Sequence, residues 1–216
     1  MTLYLPERAY VPKSEFDDPV DYYYSPLTRW IYRERLRATL SLLRSNTYGA
    51  LLEVGYGSGI LLPELARHCK ALVGLDIHGQ ASEVQGLLAH EGVDAELHQS
   101  SLYEMPFRNA QFDAVVCLSV LEHLTDLDRA MAEFARVARP GAVLALGFPV
   151  RNVITDSFFR LVGYNPRRLH PASHRDILDA IGRQSLLHID EVKMTPDRVP
   201  RDLAVYCSCR CTRLLQ

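Results

Sequence analysis

Nearly continuous apolar runs recur along the chain, and amphipathic stretches separate them. The clearest runs cover residues 50–54, 71–75 and 112–119. Such runs are typical of strands that are buried on both faces of a sheet. Between them, apolar residues recur every three or four positions, which is the period of one helix face. We therefore predict an α/β protein in which strands alternate with helices.

Turn and capping signals give the bounds of the other elements. Ser25 is a candidate N-cap with Pro26 at the first helical position, and Ser173 with Asp176 forms a capping-box pattern. The Arg-Pro-Gly sequence at 139–141 predicts the end of a helix. The predicted strands are 50–54, 71–75, 94–99, 112–119, 142–148, 186–194 and 203–212, and the predicted helices are 26–43, 59–68, 81–90, 127–138 and 173–182.

A glycine-rich turn joins the first predicted strand to its helix. It contains Gly55, Gly57 and Gly59. A residue without a Cβ adopts positive φ and lets a ligand approach the backbone closely. The helix that follows offers unpaired N–H groups and a partial positive charge. The turn predicts a site for a ligand with a carboxylate, a phosphate or a ribose, although a tight turn without a ligand gives the same pattern.

Asp76 ends the second predicted strand, about twenty residues after Gly55. An acid at this spacing accepts hydrogen bonds from ribose hydroxyls in nucleotide-binding sheets. An aspartate that only caps the next helix is the alternative.

Two motifs carry a family resemblance. Position 60 is Ile rather than the third glycine of a dinucleotide fingerprint, and Glu53 precedes the first glycine by two residues. This E-x-G-x-G-x-G pattern resembles the first motif of the class I S-adenosylmethionine (SAM)-dependent methyltransferases. The run F-D-A-V-V-C-L-S-V-L-E-H-L-x-D at 112–126, followed by R-V-A-R-P-G-A at 136–142, is similar to the small-molecule, type 11-like members. The resemblance covers roughly residues 48–150.

The resemblance implies a Rossmann-like, seven-stranded, mostly parallel sheet with helices on both faces and an antiparallel last strand. It implies SAM as the cofactor, with the glycine turn at the amino-acid end of the donor and Asp76 on the ribose. It also places Ile77 and Leu102 on the two faces of the adenine. In the family an acidic residue contacts the adenine amino group, and Ser101 stands at that position in this chain. Its hydroxyl can accept the same hydrogen bond, but without the charge assistance of a carboxylate. The implied cofactor-binding residues are Glu53, Gly55, Tyr56, Gly57, Gly59, Asp76, Ile77, Ser101, Leu102, Leu118 and Ser119.

His123 is the candidate catalytic base, because the resemblance places the loop after the fourth strand beside the methyl donor. A structural hydrogen bond that shapes this loop is the commoner role of a histidine there and the one that we favour. His170 and His174 are further candidate bases. In such enzymes the segment before the first helix commonly covers the substrate, so a hydroxyl of residues 22–24 is a candidate pocket group.

The first predicted helix has a basic side. A solvated basic face is the simplest interpretation, and a rim that attracts an anionic substrate or a membrane surface is the alternative. The arginines concerned are Arg29, Arg33, Arg35, Arg37 and Arg44.

Composition limits the classes of function. The chain has 216 residues, 48% of them hydrophobic, and a net charge of −2. These values favour one domain over residues 1–216 and give no basic field of the kind that marks nucleic-acid binders. No apolar run approaches the ~20 residues of a membrane span. The first 16 residues lack a secretory pattern, so we expect a cytoplasmic protein with reduced thiols. Cys207, Cys209 and Cys211 lack zinc-ligand spacing, so we expect no metal site.

The leading functional hypothesis is methyl transfer from SAM to a small-molecule acceptor. A catalytically silent SAM-binding or partner-binding module, a nicotinamide oxidoreductase, and a methyltransferase of nucleic acid or protein are the alternatives. We expect residues 1–45 to form an arm and a helix, and residues 151–175 to form a lid or substrate insertion. The acceptor, the choice between O-, N- and C-methylation, and the oligomeric state stay open.

Overall fold

The computed structural model describes residues 3–13, 19–44, 47–152, 171–197 and 203–215. Within these ranges seven strands form one sheet in the order β3-β2-β1-β4-β5-β7-β6. Strands β1 to β5 run parallel, and β7 lies antiparallel between β5 and β6. This arrangement confirms the predicted sheet. The strands are β1 Tyr48–Val54, β2 Cys69–Asp76, β3 Glu96–Gln99, β4 Phe112–Leu118, β5 Ala138–Pro149, β6 Leu187–Thr195 and β7 Tyr206–Arg213.

Helices cover both faces of the sheet. One apolar core joins one face to the first three helices, and a second core joins the other face to the last two. The alternation along β1 shows the division, since Leu51 packs into one core and Leu52 into the other, and both are fully buried. The helices are α1 Arg29–Leu40, α2 Leu62–Ala66, α3 Ala81–Glu91, α4 Leu127–Val137 and α5 His174–Arg183.

The predicted start of the first helix is wrong. Helix α1 begins at Arg29, because the carbonyl of Ser25 accepts the N–H groups of Thr28 and Arg29 in a preceding turn. The predicted apolar face also fails at its start, since Leu27 and Trp30 are 85% and 61% exposed. The helix ends at Leu40, a turn earlier than predicted.

The Arg-Pro-Gly sequence at 139–141 lies inside a strand. Helix α4 ends at Val137, and β5 begins at the next residue, Ala138. The register shifts here, since Ala138 pairs with Phe112 whereas Val143 pairs with Ala114. A bulge therefore absorbs the residues that we predicted as a break between the two elements.

The arm over residues 3–13 packs against α2 and α3. The Tyr4 N–H donates to Glu64 over 3.0 Å, and the ring of Tyr10 stacks on His90 with centroids 3.4 Å apart. At the end of the arm, the Lys13 carbonyl accepts a hydrogen bond from Gln80 over 3.2 Å. The arm therefore reaches the loop that follows β2. Over the described ranges, no helix is long and apolar enough to cross a bilayer.

Candidate active site at the carboxyl edge of the sheet

The carboxyl ends of β1, β2 and β4 lie level with one another. Val54 on β1 is in register with Leu75 on β2 and Cys117 on β4. The strand order changes direction between β1 and β4, which is the place where open α/β sheets bind ligands. The glycine turn, Asp76 and Leu118 therefore meet at one edge.

The glycine turn has a backbone that other residues would strain. Gly55, Gly57 and Gly59 have φ values of +79°, +52° and +74°. A Cβ on Gly55 would also lie 2.1 Å from a methyl carbon of Val120, which follows β4. The turn therefore needs glycine at position 55 for conformation and for packing against the β4 loop.

Asp76 ties the turn to the end of β2. One carboxylate oxygen accepts the Gly57 N–H over 2.8 Å, and the other accepts the Ile77 N–H over 2.7 Å. The oxygen that accepts the Ile77 N–H also accepts the His78 N–H over 3.3 Å. The oxygen bonded to Gly57 has a second lone pair, so the carboxylate keeps the capacity to accept a hydroxyl group there.

His78 is a structural residue of this turn that the sequence analysis missed. Its Nδ1 accepts the Gln80 N–H over 3.1 Å, so Nε2 carries the proton and donates to the Gly57 carbonyl over 2.8 Å. The ring is buried and meets that of Tyr56 edge-on, with centroids 4.9 Å apart. The one available signal was a histidine two residues after the acid, in the same turn.

The side chains next to Asp76 provide an apolar surface and a capped turn. Ile77 is 62% exposed, and Leu102 is half-buried in a short 3-10 helix over Leu102–Glu104. The Ser101 hydroxyl accepts the Tyr103 N–H over 3.2 Å and thereby caps that helix. Glu53 is buried near the end of β1, with 4% of its surface exposed.

Beyond Leu118, the chain turns sharply at Ser119. This residue has a φ of +56°, an uncommon conformation for a residue with a Cβ. Its N–H donates to the Gly147 carbonyl over 2.8 Å, and its hydroxyl lies 3.1 Å from the Tyr206 hydroxyl. The β4 loop is thereby joined to the ends of β5 and β7.

The candidate bases have different surroundings. The His123 side chain is half-exposed, and its Nε2 lies 4.0 Å from a carboxylate oxygen of Glu122. Glu122 itself is 2% exposed, and burial raises its pKa to about 8. His174 begins α5, where burial lowers its pKa, whereas His170 lies outside the described residues.

The interpretation of the first helix as a solvated basic face is wrong for Arg35. Its guanidinium carbon lies 4.4 Å from the ring centroid of Tyr32, 5.1 Å from that of Tyr23 and 5.5 Å from that of Tyr206. One terminal nitrogen donates to the Tyr23 hydroxyl. Arg35 therefore points inward toward the end of β7. The described residues contain no group of three or more His, Cys, Asp and Glu side chains arranged to hold a metal ion.

Part of the chain is similar to known methyltransferases. A model described as a methyltransferase domain matches residues 52–146. A ubiquinone biosynthesis O-methyltransferase from Hahella chejuensis is 34% identical over 119 residues, covering 54% of this chain and 44% of that protein. A protein of the same name from Salmonella enteritidis PT4 is 34% identical over 93 residues, covering 42% of this chain and 38% of that protein. The chain therefore spans less than half the length of these curated relatives.

Solved structures share the fold. The N-methyltransferase NodS from Bradyrhizobium japonicum WM9, in complex with S-adenosyl-L-homocysteine (SAH), has a TM-score of 0.65 at 20% identity, covering 92% of this chain and 93% of that chain. The [4+2]-cyclase SpnF has a TM-score of 0.67 at 16% identity, covering 83% of this chain and 81% of that chain.

The sheet order and the glycine turn, together with these likenesses, define the class I SAM-dependent methyltransferase fold. Residues 52–146 match the methyltransferase-domain family, and the chain has the fold of the SAM-dependent methyltransferases. SAM is the cofactor that the family implies.

The residues at the sheet edge fit this cofactor. Asp76 retains acceptor capacity beside the glycine turn, on the oxygen that accepts the Gly57 N–H. The exposed apolar side chain of Ile77 is suited to the face of a purine. The Ser101 oxygen keeps one lone pair and its own proton beyond the capping hydrogen bond, so it can still meet the edge of the base.

Proposed function

We propose that this protein transfers the methyl group of SAM to a small-molecule acceptor. The observation that supports this most directly is the convergence of the glycine turn, Asp76 and the exposed Ile77 at one edge of the sheet. The family match over residues 52–146 adds to it.

The proposed roles follow from the positions of the residues. The backbone of Gly55, Tyr56 and Gly57 holds the amino-acid end of the donor, and Glu53 orders this turn from β1. Asp76 accepts the ribose hydroxyls. The remaining proposed contacts to SAM are made by Gly59 in the turn, by Ile77 and Leu102 on the two faces of the adenine, by Ser101 at the edge of the adenine, and by Leu118 and Ser119 at the methionine side.

Bound SAM supplies a methyl group already activated on a sulfonium, so the protein mainly aligns the acceptor with it. Such positioning contributes several kcal/mol to catalysis. The names of the curated relatives favour an oxygen nucleophile, and an acidic hydroxyl then needs a base. His123 is the candidate for that role, because it is half-exposed and follows the β4 loop directly.

The test is a turnover assay with methyl-labelled SAM and a panel of phenols, carboxylic acids and amines. We expect SAH to form in proportion to a labelled product with at least one acceptor class. An Asp76→Ala variant should lose this activity at low SAM concentration. SAM binding without SAH formation on any acceptor would contradict the proposal.

A protein that binds SAM without transferring its methyl group is the second candidate. One structural neighbour is named a [4+2]-cyclase, so the fold alone does not fix the reaction. Tight binding of SAM and SAH with no turnover would favour this candidate.

A further inference from the structure

Two buried polar atoms near the end of β4 have no hydrogen-bond partner among the described residues. They are Nε of Arg35 and Oε2 of Glu122. Folded proteins contain few buried polar atoms without a hydrogen-bond partner, because leaving such an atom unpaired is unfavourable. Two of them on the same side of the sheet edge indicate a place where a ligand supplies the missing contacts.

Tyr206 connects these two groups. It pairs with Pro149 at the carboxyl end of β5, and its hydroxyl lies 3.1 Å from that of Ser119. The guanidinium carbon of Arg35 lies 5.5 Å from the centroid of the Tyr206 ring, and Glu122 follows Ser119 by three residues in the same loop. Ser119 follows Leu118, and both residues belong to the proposed methionine side of the donor site. The cluster is therefore on the side of the donor site opposite Asp76, where an acceptor has to approach the methyl group.

The positive charge of Arg35 has no anionic partner in the described part of the chain. The structure records hydrogen bonding only to the Tyr23 hydroxyl, with the rings of Tyr23, Tyr32 and Tyr206 around the guanidinium. Burial raises the pKa of the Glu122 carboxyl to about 8, which favours its protonated form at pH 7. A half-buried guanidinium that is surrounded by aromatic rings binds a planar carboxylate well, because fewer water molecules compete for it.

We propose that Arg35 anchors the carboxylate of a small acidic acceptor, with Nε donating to one carboxylate oxygen and the Glu122 carboxyl donating to the other. The three tyrosine rings then pack against the body of the acceptor. This inference rests on the methyl transfer proposed above and adds the chemical class of the acceptor to it. One carboxylate satisfies both of the buried atoms that lack partners.

The experiment compares matched carboxylates and amides on the protein saturated with SAH at pH 7. The pairs are benzoate with benzamide, cinnamate with cinnamamide, and octanoate with octanamide, measured by calorimetric titration. We expect at least one carboxylate to bind about tenfold or more tightly than its amide, which is the size of a charge-assisted hydrogen bond. Arg35→Gln should abolish this preference without changing the affinity for SAH.

Arg37→Gln is the matched control. It removes one positive charge from the same helix, at a side chain that is 41% exposed and paired with Glu34. It should keep the preference for carboxylates. If Arg35→Gln fails to bind SAH, Arg35→Met takes its place, because it keeps a long side chain between the rings. Glu122→Gln, which retains a donor, should keep the preference, and Glu122→Leu should weaken it several-fold.

Two results overturn the inference: no carboxylate binds better than its amide to the wild type, or the Arg35 variant keeps the preference. The affinity for SAH, measured first, separates this failure from that of the proposed function. A wild type that does not bind SAH contradicts the methyl-transfer proposal, whereas normal SAH binding without a carboxylate preference contradicts only the role of Arg35.

Discussion

The two sides of the sheet edge are built differently. On the side of β1 and β2, Asp76 and His78 are bonded to the backbone of the glycine turn, and the turn is held before any ligand arrives. On the side of β4, β5 and β7, Arg35 is half-buried and Glu122 is buried, and each has a buried side-chain atom without a partner in the described residues. A preformed turn suits a cofactor that is the same for the whole family. Unpaired buried groups suit a substrate that differs from one member to the next.

The largest effect should come from filling the turn. Gly55→Ala places a Cβ 2.1 Å from Val120 at a φ of +79°, so the turn and the β4 loop must separate. We expect a loss of SAH affinity of more than about 100-fold and destabilisation of roughly 1–3 kcal/mol. Calorimetry and thermal unfolding measure the two effects.

Gly86→Ala is the control for this change. Gly86 lies in α3, and a Cβ there meets nothing within 4 Å. It should leave SAH binding unchanged and stabilise the protein by about 0.5–1 kcal/mol. Equal losses in both variants would show that the turn has no special role.

Removing the charge of Asp76 should have the next largest effect. Asp76→Asn loses the charge-assisted acceptance of the ribose hydroxyls, so the Kd for SAM should rise about 10- to 100-fold. The affinity of the SAH-saturated protein for acceptor carboxylates should not change, because the proposed acceptor site at Arg35 lies on the other side of the sheet edge. Asp94→Asn, at an exposed aspartate, is the control. Full SAM affinity in Asp76→Asn would refute the ribose assignment.

The donor side was the predictable half. Gly55, Gly57 and Asp76 lie within one strand–turn–helix–strand unit, so their spacing in the sequence determines their spacing at the sheet edge. Arg35 and Tyr206 lie near opposite ends of the chain and meet only because α1 packs against the last strand. No local pattern distinguishes Arg35, which lies among tyrosine rings, from Arg37, whose side chain is 41% exposed and paired with Glu34. The sequence therefore indicated a uniformly solvated basic face.

Two predicted boundaries, the start of α1 and the start of β5, differ from the structure for a similar reason. Ser25 and Pro26 favour a helix start locally, and the Ser25 carbonyl does accept the Arg29 N–H, but the residues between them form a turn and α1 begins at Arg29. Helix α4 ends just before the Arg-Pro-Gly sequence at 139–141, as predicted, but pairing with β4 makes that sequence a bulge of β5, so the strand begins at Ala138 rather than at Ala142. In both places, longer-range packing outweighs a correct local propensity.

The buried carboxyl of the acceptor side should give stability a pH dependence. With a pKa of about 8 in the folded state against an ordinary 4.5, Glu122 holds a proton that the unfolded chain releases. The free energy of unfolding should therefore fall as pH rises from about 4.5 to 8 and then level off, by up to about 1.4 kcal/mol per pH unit.

The free energy of unfolding of Glu122→Gln should depend less on pH over this window than that of the wild type. The variant should therefore gain stability relative to the wild type between pH 5.5 and 8.5. Urea unfolding at both pH values measures this. Glu7→Gln, at an exposed carboxylate, controls for the loss of one acid. Parallel curves for the wild type and the Glu122 variant would show that Glu122 is not protonated in the folded protein.

The smallest effect concerns the adenine. Ser101→Asp restores the acidic residue that the family pattern has at this position, and it keeps an acceptor for the Tyr103 N–H. We expect SAM to bind a few-fold more tightly, because a carboxylate is the stronger acceptor for an amino group. Ser100→Asp, at the neighbouring serine, is the control. Weaker binding in Ser101→Asp would place the adenine elsewhere.

The central claim is that the preformed side of the sheet edge is a site for SAM. Calorimetric titration of the purified protein with SAM, SAH and NADH in parallel tests it most directly. We expect micromolar affinity for SAM and SAH and no binding of NADH. Binding of NADH, or of none of the three, would contradict the claim.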